Sequence, residues 1–156
     1  MSNLRSILGA VGALVLTFGA AYVGSRFPVD EWYAALLKPS WNPPNWLFGP
    51  VWSVLYLLMA ISVWLVWREE GLLGAIVPLS TFLLQLVLNA AWSWLFFGLH
   101  EPGVAFAGIV TLWVAIAVNI ILFWRLKPIS GILLIPYLLW VTFASALNYA
   151  LWRLNQ

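Results

Sequence analysis

Apolar residues in this chain neither alternate with polar ones nor recur at the spacing of a surface helix. They run on in five long stretches, and the polar residues collect in the gaps. The stretches cover approximately residues 5–26, 47–67, 76–98, 103–124 and 129–152. At about 1.5 Å per helical residue, each is long enough to cross a hydrocarbon layer of about 30 Å. The gaps read "RFPVDEWYAALLKPSWNPPN", "REEGLLG", "LHEPG" and "RLKPIS", each combining charge with Gly or Pro. Three are short, so the spans they join must be antiparallel. The pattern predicts an all-α integral membrane protein, a five-transmembrane-helix bundle forming one domain over residues 1–156. Arg5 ahead of an apolar run imitates a signal peptide, but the run over residues 7–23 is long for one and is read as a retained first span.

The first gap, residues 27–46, differs from the others. In "DEWYAALLKP", Asp30 or Glu31 at the start and Lys38-Pro39 at the end predict a short interfacial helix. "PSWNPPNW" is expected to be non-helical, because proline fixes φ and removes donors. Residues 38–52, "KPSWNPPNWLFGPVW", hold three tryptophans and four prolines. Prolines pre-order a loop by restricting its unfolded states, and indoles let it cover an apolar space from the interface. The loop is therefore read as a lid.

Composition agrees with the pattern. Hydrophobic residues make up 64% of the chain and charged ones 8%, against about 25% charged in soluble domains; mean hydropathy is +0.98. A net charge of +2 without a basic cluster excludes a nucleic-acid partner. With no cysteine, disulfides, thiol nucleophiles and Cys-ligated metals are excluded as well. His100, the single histidine, is expected to be a solvated loop residue rather than a metal or haem ligand. Arg5, Arg68, Arg125 and Lys127 lie at one set of span ends, and Arg26, Lys38 and Arg153 at the other. The excess points to an N-terminus inside, with the first loop outside; the membrane is expected to be that of a bacterial cell.

Small residues recur every four positions in the first span (Gly9, Ala13, Thr17, Ala21, Ser25) and the fourth (Gly103, Ala107, Thr111, Ala115, Asn119). Such ridges let backbones approach closely; packing within the bundle is favoured over a dimer seam.

Polar groups inside hydrocarbon mark a bundle interior or a ligand site. Gln85, Asn89 and Trp92 share one face of the third span; Trp140, Ala144 and Asn148, with Tyr137 a turn away, share one face of the fifth; Trp52 and Tyr56 share one face of the second. Counting from the span ends puts Trp52, Asn89, Trp92, Asn148 and Trp140 in the membrane half nearest the first loop, with Trp140 the deepest. They predict an aromatic-walled cavity between the second, third and fifth spans, with sparse amides, the usual make-up of a small-molecule site. The competing reading is that the amides only bond between helices and the tryptophans form an interfacial belt. The belt is favoured for Trp41, Trp46, Trp67, Trp124 and Trp152, and the cavity for Trp52 and Trp140.

"WYAALLKPSWNPPNWLFGPVW", "LQLVLNAAWSWLFFG" and "IPYLLWVTFASALNYALWRLN" resemble, in order and spacing, the TspO/translocator-protein family of tryptophan-rich sensory proteins and peripheral-type benzodiazepine receptors. The resemblance covers essentially the whole chain. It implies a homodimerising five-helix bundle in the lipid bilayer, with protoporphyrin IX or a related tetrapyrrole as ligand and no required cofactor. Its ligand pocket falls on Tyr33, Trp41, Pro43, Trp52, Asn89, Trp92, Trp140, Ala144, Ala146 and Leu147, with Trp52 and Trp140 matching residues implicated in light-dependent porphyrin breakdown. Leu147, Tyr149 and Arg153 fit a loose sterol-binding pattern, ranked below porphyrin. The chain departs from the family at Ser93, where proline often follows the tryptophan.

Three functions are open: a tetrapyrrole-binding translocator or sensor, a light- and oxygen-dependent porphyrin-degrading enzyme, and a transporter of porphyrin or sterol. No acid–base or metal constellation supports a conventional active site. Carriers often show an inverted repeat and a helix broken at mid-membrane; this chain shows neither, so transport ranks last.

Overall fold

A computed structural model describes residues 3–156. Five helices are long and apolar enough to span a membrane, and their limits follow the apolar runs closely. They are α1 (Asn3–Ser25), α3 (Phe48–Gly74), α4 (Ile76–Ser93), α5 (Pro102–Leu126) and α6 (Pro128–Leu154); a short helix, α2 (Glu31–Ala35), lies in the first loop. α5 and α6 each start on a proline, whose missing N–H is no loss in a first turn. α3 breaks at Gly71, where φ is 71°, a backbone state that glycine adopts without strain.

The spans close into a ring. α1 packs on α3 and α4, α3 on α6, α6 on α5 and α5 on α4, with the α5–α6 contact the most extensive. α3 and α4, consecutive in the chain, touch only lightly. Lipid supplies no hydrophobic drive between helices, so close approach and dispersion must hold the ring. Gly131 of α6 shows how close: a Cβ there would lie 2.9 Å from Trp124 Cβ and 3.0 Å from the Ile120 carbonyl oxygen of α5.

The small-residue ridge of the first span packs inward. Ala13 and Thr17 are buried, and Gly9 lies under the Trp67 ring. In α5 the outcome differs from the expected bundle packing. Ala105, Ile109, Leu112 and Ile116 form its buried face, while Ala107 and Thr111 are exposed. Leucine and isoleucine fill the middle of the buried face and leave Ala107 and Thr111 outside, whereas Asn119, at the end of the ridge, is buried. Trp67 and Trp152 also depart from a simple belt, because they are pressed against Gly9 and Gly103.

The first loop is tied down at both ends and its middle. The Asp30 carboxylate accepts the Tyr33 N–H at 3.0 Å and caps α2. Lys38 Nζ donates to the carbonyls of Ala34 and Leu36, both at 3.0 Å, closing the helix as its position predicts. Tyr33 Oη donates to Asn42 Oδ1 at 3.1 Å. Ahead of Pro39, Leu37 N–H donates to Asn155 Oδ1 at 2.9 Å, and Asn155 Nδ2 donates back to the Leu37 carbonyl at 3.0 Å. "PSWNPPNW" is non-helical only as far as Pro44. Asn45 and Trp46 begin a 3₁₀ turn (Asn45–Leu47), since nothing restrains a residue after the second proline from turning.

His100 is not a free loop residue. Its ring stacks on Trp32 at 4.3 Å, and its Nε2 lies 2.9 Å from Asp30 Oδ2. These contacts fasten α2 to the α4–α5 turn, where His100 itself sits at φ 58°. Sequence distance hid them, since the partners are 68 and 70 positions away. Below Ser93 the third span widens into a π turn over Trp94–Gly98, closed by the Leu99 N–H on the Trp94 carbonyl at 2.8 Å.

Candidate functional site

Under the first loop, the ring forms a half-open cavity of 470 Å³. Trp52 and Tyr56 of α3, Asn89 and Trp92 of α4, and Trp140 and Ala144 of α6 line it, so the three predicted faces do meet at one level. A fourth wall was not foreseen: α1 contributes Phe18, Ala21 and Gly24. Ala21 belongs to the four-residue ridge, but a cavity-lining Phe and a lipid-facing Phe look alike in hydropathy. The lid closes the space with Phe27, Pro28, Val29 and Asn45.

Polar contacts fix the walls. Tyr56 Oη donates to Asn89 Oδ1 at 2.6 Å, and Asn89 Nδ2 donates to Tyr137 Oη at 2.7 Å, which joins α3, α4 and α6. Trp92 Nε1 donates to Asn148 Oδ1 at 3.0 Å, and Asn148 Nδ2 to the Pro102 carbonyl at 2.8 Å. Gln85 lies deeper, with Nε2 3.7 Å from Met59 Sδ, and belongs to the core rather than the cavity. Trp52 stands edge-to-face with Tyr137 at 6.1 Å, and Trp140 packs on Phe48 and Phe143 at 6.0 and 5.4 Å. The Trp140 indole N–H is buried and has no hydrogen-bond partner. A buried donor without a partner costs free energy, and here it belongs to a cavity wall.

Five residues singled out by the resemblance lie elsewhere. Tyr33 and Leu147 line a separate space of 30 Å³ behind Phe48, Trp92, Phe97 and Ala144, which face both. Trp41 is 47% exposed, with its ring against Phe143 at 5.8 Å. Pro43 holds the Asn42 side chain through its carbonyl. Ala146 is exposed on the opposite face of α6 from Ala144. Of the sterol pattern, Tyr149 and Arg153 are exposed and Leu147 is buried, so the three do not share a surface.

Two outcomes follow from these bonds. Asn89→Ala removes hydrogen bonds to both tyrosines, yet such bonds between membrane helices average about 0.6 kcal/mol and reach about 1.7. The variant is therefore expected to fold with a modestly lower thermal midpoint in detergent, and Tyr137→Phe to lose less. Collapse of Asn89→Ala to an unfolded chain would show that this junction holds the bundle.

The second concerns pH. Asp30 sits below its ordinary value of 3.8, first because of the Tyr33 N–H and further because of His100. A lowered folded pKa means that the cap stabilises the loop above pH 3.8 and is lost as pH falls through the lower folded value. Proteolysis of the first loop in detergent is expected to begin only in that acid window, and at neutral pH in Asp30→Ala, which removes the accepting oxygen. Equal protection of Asp30→Ala would remove Asp30 from this role.

The sequence model of the TspO/MBR family matches residues 10–153. The chain is 41% identical over 152 residues to the human translocator protein, covering 94% of this chain and 90% of the relative. It is 41% identical over 140 residues to Protein CrtK of Rhodobacter capsulatus, covering 87% and 86%. With the tryptophan-rich protein TspO of Archaeoglobus fulgidus it shares 40% over 153 residues, 96% of this chain and 99% of the relative. A multi-pass membrane architecture, indole-rich walls and matches running nearly end to end agree: the chain belongs to the TspO/MBR family.

Proposed function

We propose that the 470 Å³ cavity binds a tetrapyrrole of the protoporphyrin IX type, and that the protein senses or translocates it. The carrying observation is the pair of indoles, Trp52 and Trp140, on one half-open space beneath the first loop. A volume of this size falls within the range of about 300–1,000 Å³ usual for ligand pockets. No acid, base or histidine is among its lining residues, so its interior suits a flat, largely uncharged face. The acidic substituents of such a ligand would stay at the rim. Exposed Arg26 stands there between Ser25 and Phe27, which line the space, whereas Lys38 is engaged with α2 carbonyls. The names of the relatives, a translocator protein and a tryptophan-rich sensory protein, support the sensing or translocating part of this reading.

Titrating purified protein with protoporphyrin IX, haem and a sterol while following tryptophan fluorescence tests it. Saturable quenching by the porphyrin and none by the sterol is expected; quenching that never saturates overturns it. Two indoles facing one space also favour a second reading, breakdown of the bound pigment under light and oxygen. Illumination separates the two. Pigment loss that depends on both Trp52 and Trp140 favours chemistry, and stable pigment with retained quenching favours binding alone.

The stripe of small residues outside α5, with Ala107 and Thr111 exposed, supports a homodimer, which cross-linking in membranes would test. Four basic residues against three support an N-terminus inside.

A further inference from the structure

At the opposite end of the bundle from the first loop lies a second cavity, of 280 Å³, between α1, α3 and α4. Gly9, Gly12 and Ala13 form its floor, and Trp64, Trp67 and Phe82 stand around it. The interior offers hydrocarbon almost everywhere. Its evident polar atom, Trp64 Nε1, already donates to the Ser6 carbonyl at 3.0 Å. A polar ligand would find nothing to bond there, whereas an acyl chain loses nothing by entering.

The rim differs in kind. The Arg5 guanidinium lies 5.9 Å from the Trp67 ring centroid, and the Arg68 guanidinium 4.9 Å from that of Trp64. Both rings line the cavity, so each cation is placed by a wall of the groove itself. A guanidinium on an indole face keeps its N–H fork in its own plane, the arrangement that grips phosphate oxygens. Arg5 is in the first turn of α1 and Arg68 near the end of α3, so the two share one membrane boundary. Of the two acidic neighbours, Glu69 is turned to Lys127, at 2.5 Å, and the Glu70 carboxylate lies against Gly74. We propose that this groove holds one acyl chain of an anionic phospholipid, with its phosphate between Arg5 and Arg68.

Gly12 supplies a clean probe, because a Cβ there meets nothing within 4 Å. Leucine at that position fills the groove without a clash and suits a helix better than glycine. The experiment is native mass spectrometry of the full chain with phosphatidylglycerol and phosphatidylcholine of identical acyl chains. Wild type is expected to retain one phosphatidylglycerol in preference to phosphatidylcholine. Arg68→Gln should cut that preference about fivefold, the effect of one basic residue at an anionic surface. Gly12→Leu should lower retention of both lipids about tenfold, the effect of losing two buried methylenes' worth of contact, with protoporphyrin titration unchanged as the check on folding. Equal retention of the two lipids by wild type, or undiminished retention by folded Gly12→Leu, overturns the proposal. Should Gly12→Leu fail to fold, Arg68→Gln decides alone: an unchanged preference overturns it.

Discussion

Trp140→Ala is expected to bind protoporphyrin IX about 10–100-fold more weakly than the wild-type chain, with the bundle intact. One indole face withdraws on the order of 100 Å² of apolar surface from a ligand, about 2.5 kcal/mol at 25 cal/mol per Å². That corresponds to nearly two decades of affinity. Folding should survive, because the Trp140 N–H bonds to nothing and the ring is only partly buried. Trp140→Phe keeps an aromatic wall, so it should recover much of the stacking. Isothermal or fluorescence titration in detergent measures both. Normal binding by Trp140→Ala would mean that the ligand lies outside this cavity.

The largest effect on stability is expected at Gly131. Valine there would drive its side chain into Trp124 Cβ, Trp124 Cα and the Ile120 carbonyl oxygen. These are backbone or near-backbone atoms of α5, which cannot rotate away as the tip of a flexible chain would. Overpacking of this kind costs about 1–3 kcal/mol, more than the Asn89 bonds, and it falls on the most extensive helix contact in the ring. Thermal unfolding in detergent should show Gly131→Val well below Asn89→Ala. A midpoint equal to that of wild type would mean that α6 shifts away from α5 at no expense.

The five spans could be read because a run of apolar residues sufficient to cross a bilayer leaves little else for the chain to do. Their order around the ring could not. Nothing local in α3 and α4 tells that they scarcely touch while α3 packs on α6. The polar layer was legible because Asn89 and Asn148 stand out in hydrocarbon, and helical spacing brings Trp92 and Trp140 to the same faces. Phe18 and Gly24 of α1 carried no such signal, since lipid and an apolar cavity select the same side chains. Family resemblance grouped Tyr33 and Leu147 with the other pocket residues, but the wall formed by Trp92, Phe97 and Ala144 separates them from the larger space. His100 escaped because its partners come from the first loop, far away in sequence.

The reciprocal bonds between Leu37 and Asn155 join segments 118 positions apart. The same Asn155 amide also donates to the Leu151 carbonyl at 2.8 Å, closing the last turn of α6. Fraying of that turn and slackening of the cover are thus mechanically one event. Amide exchange at the chain's end should therefore slow whenever an occupant steadies the loop from below, a distant readout of occupancy that needs no chromophore.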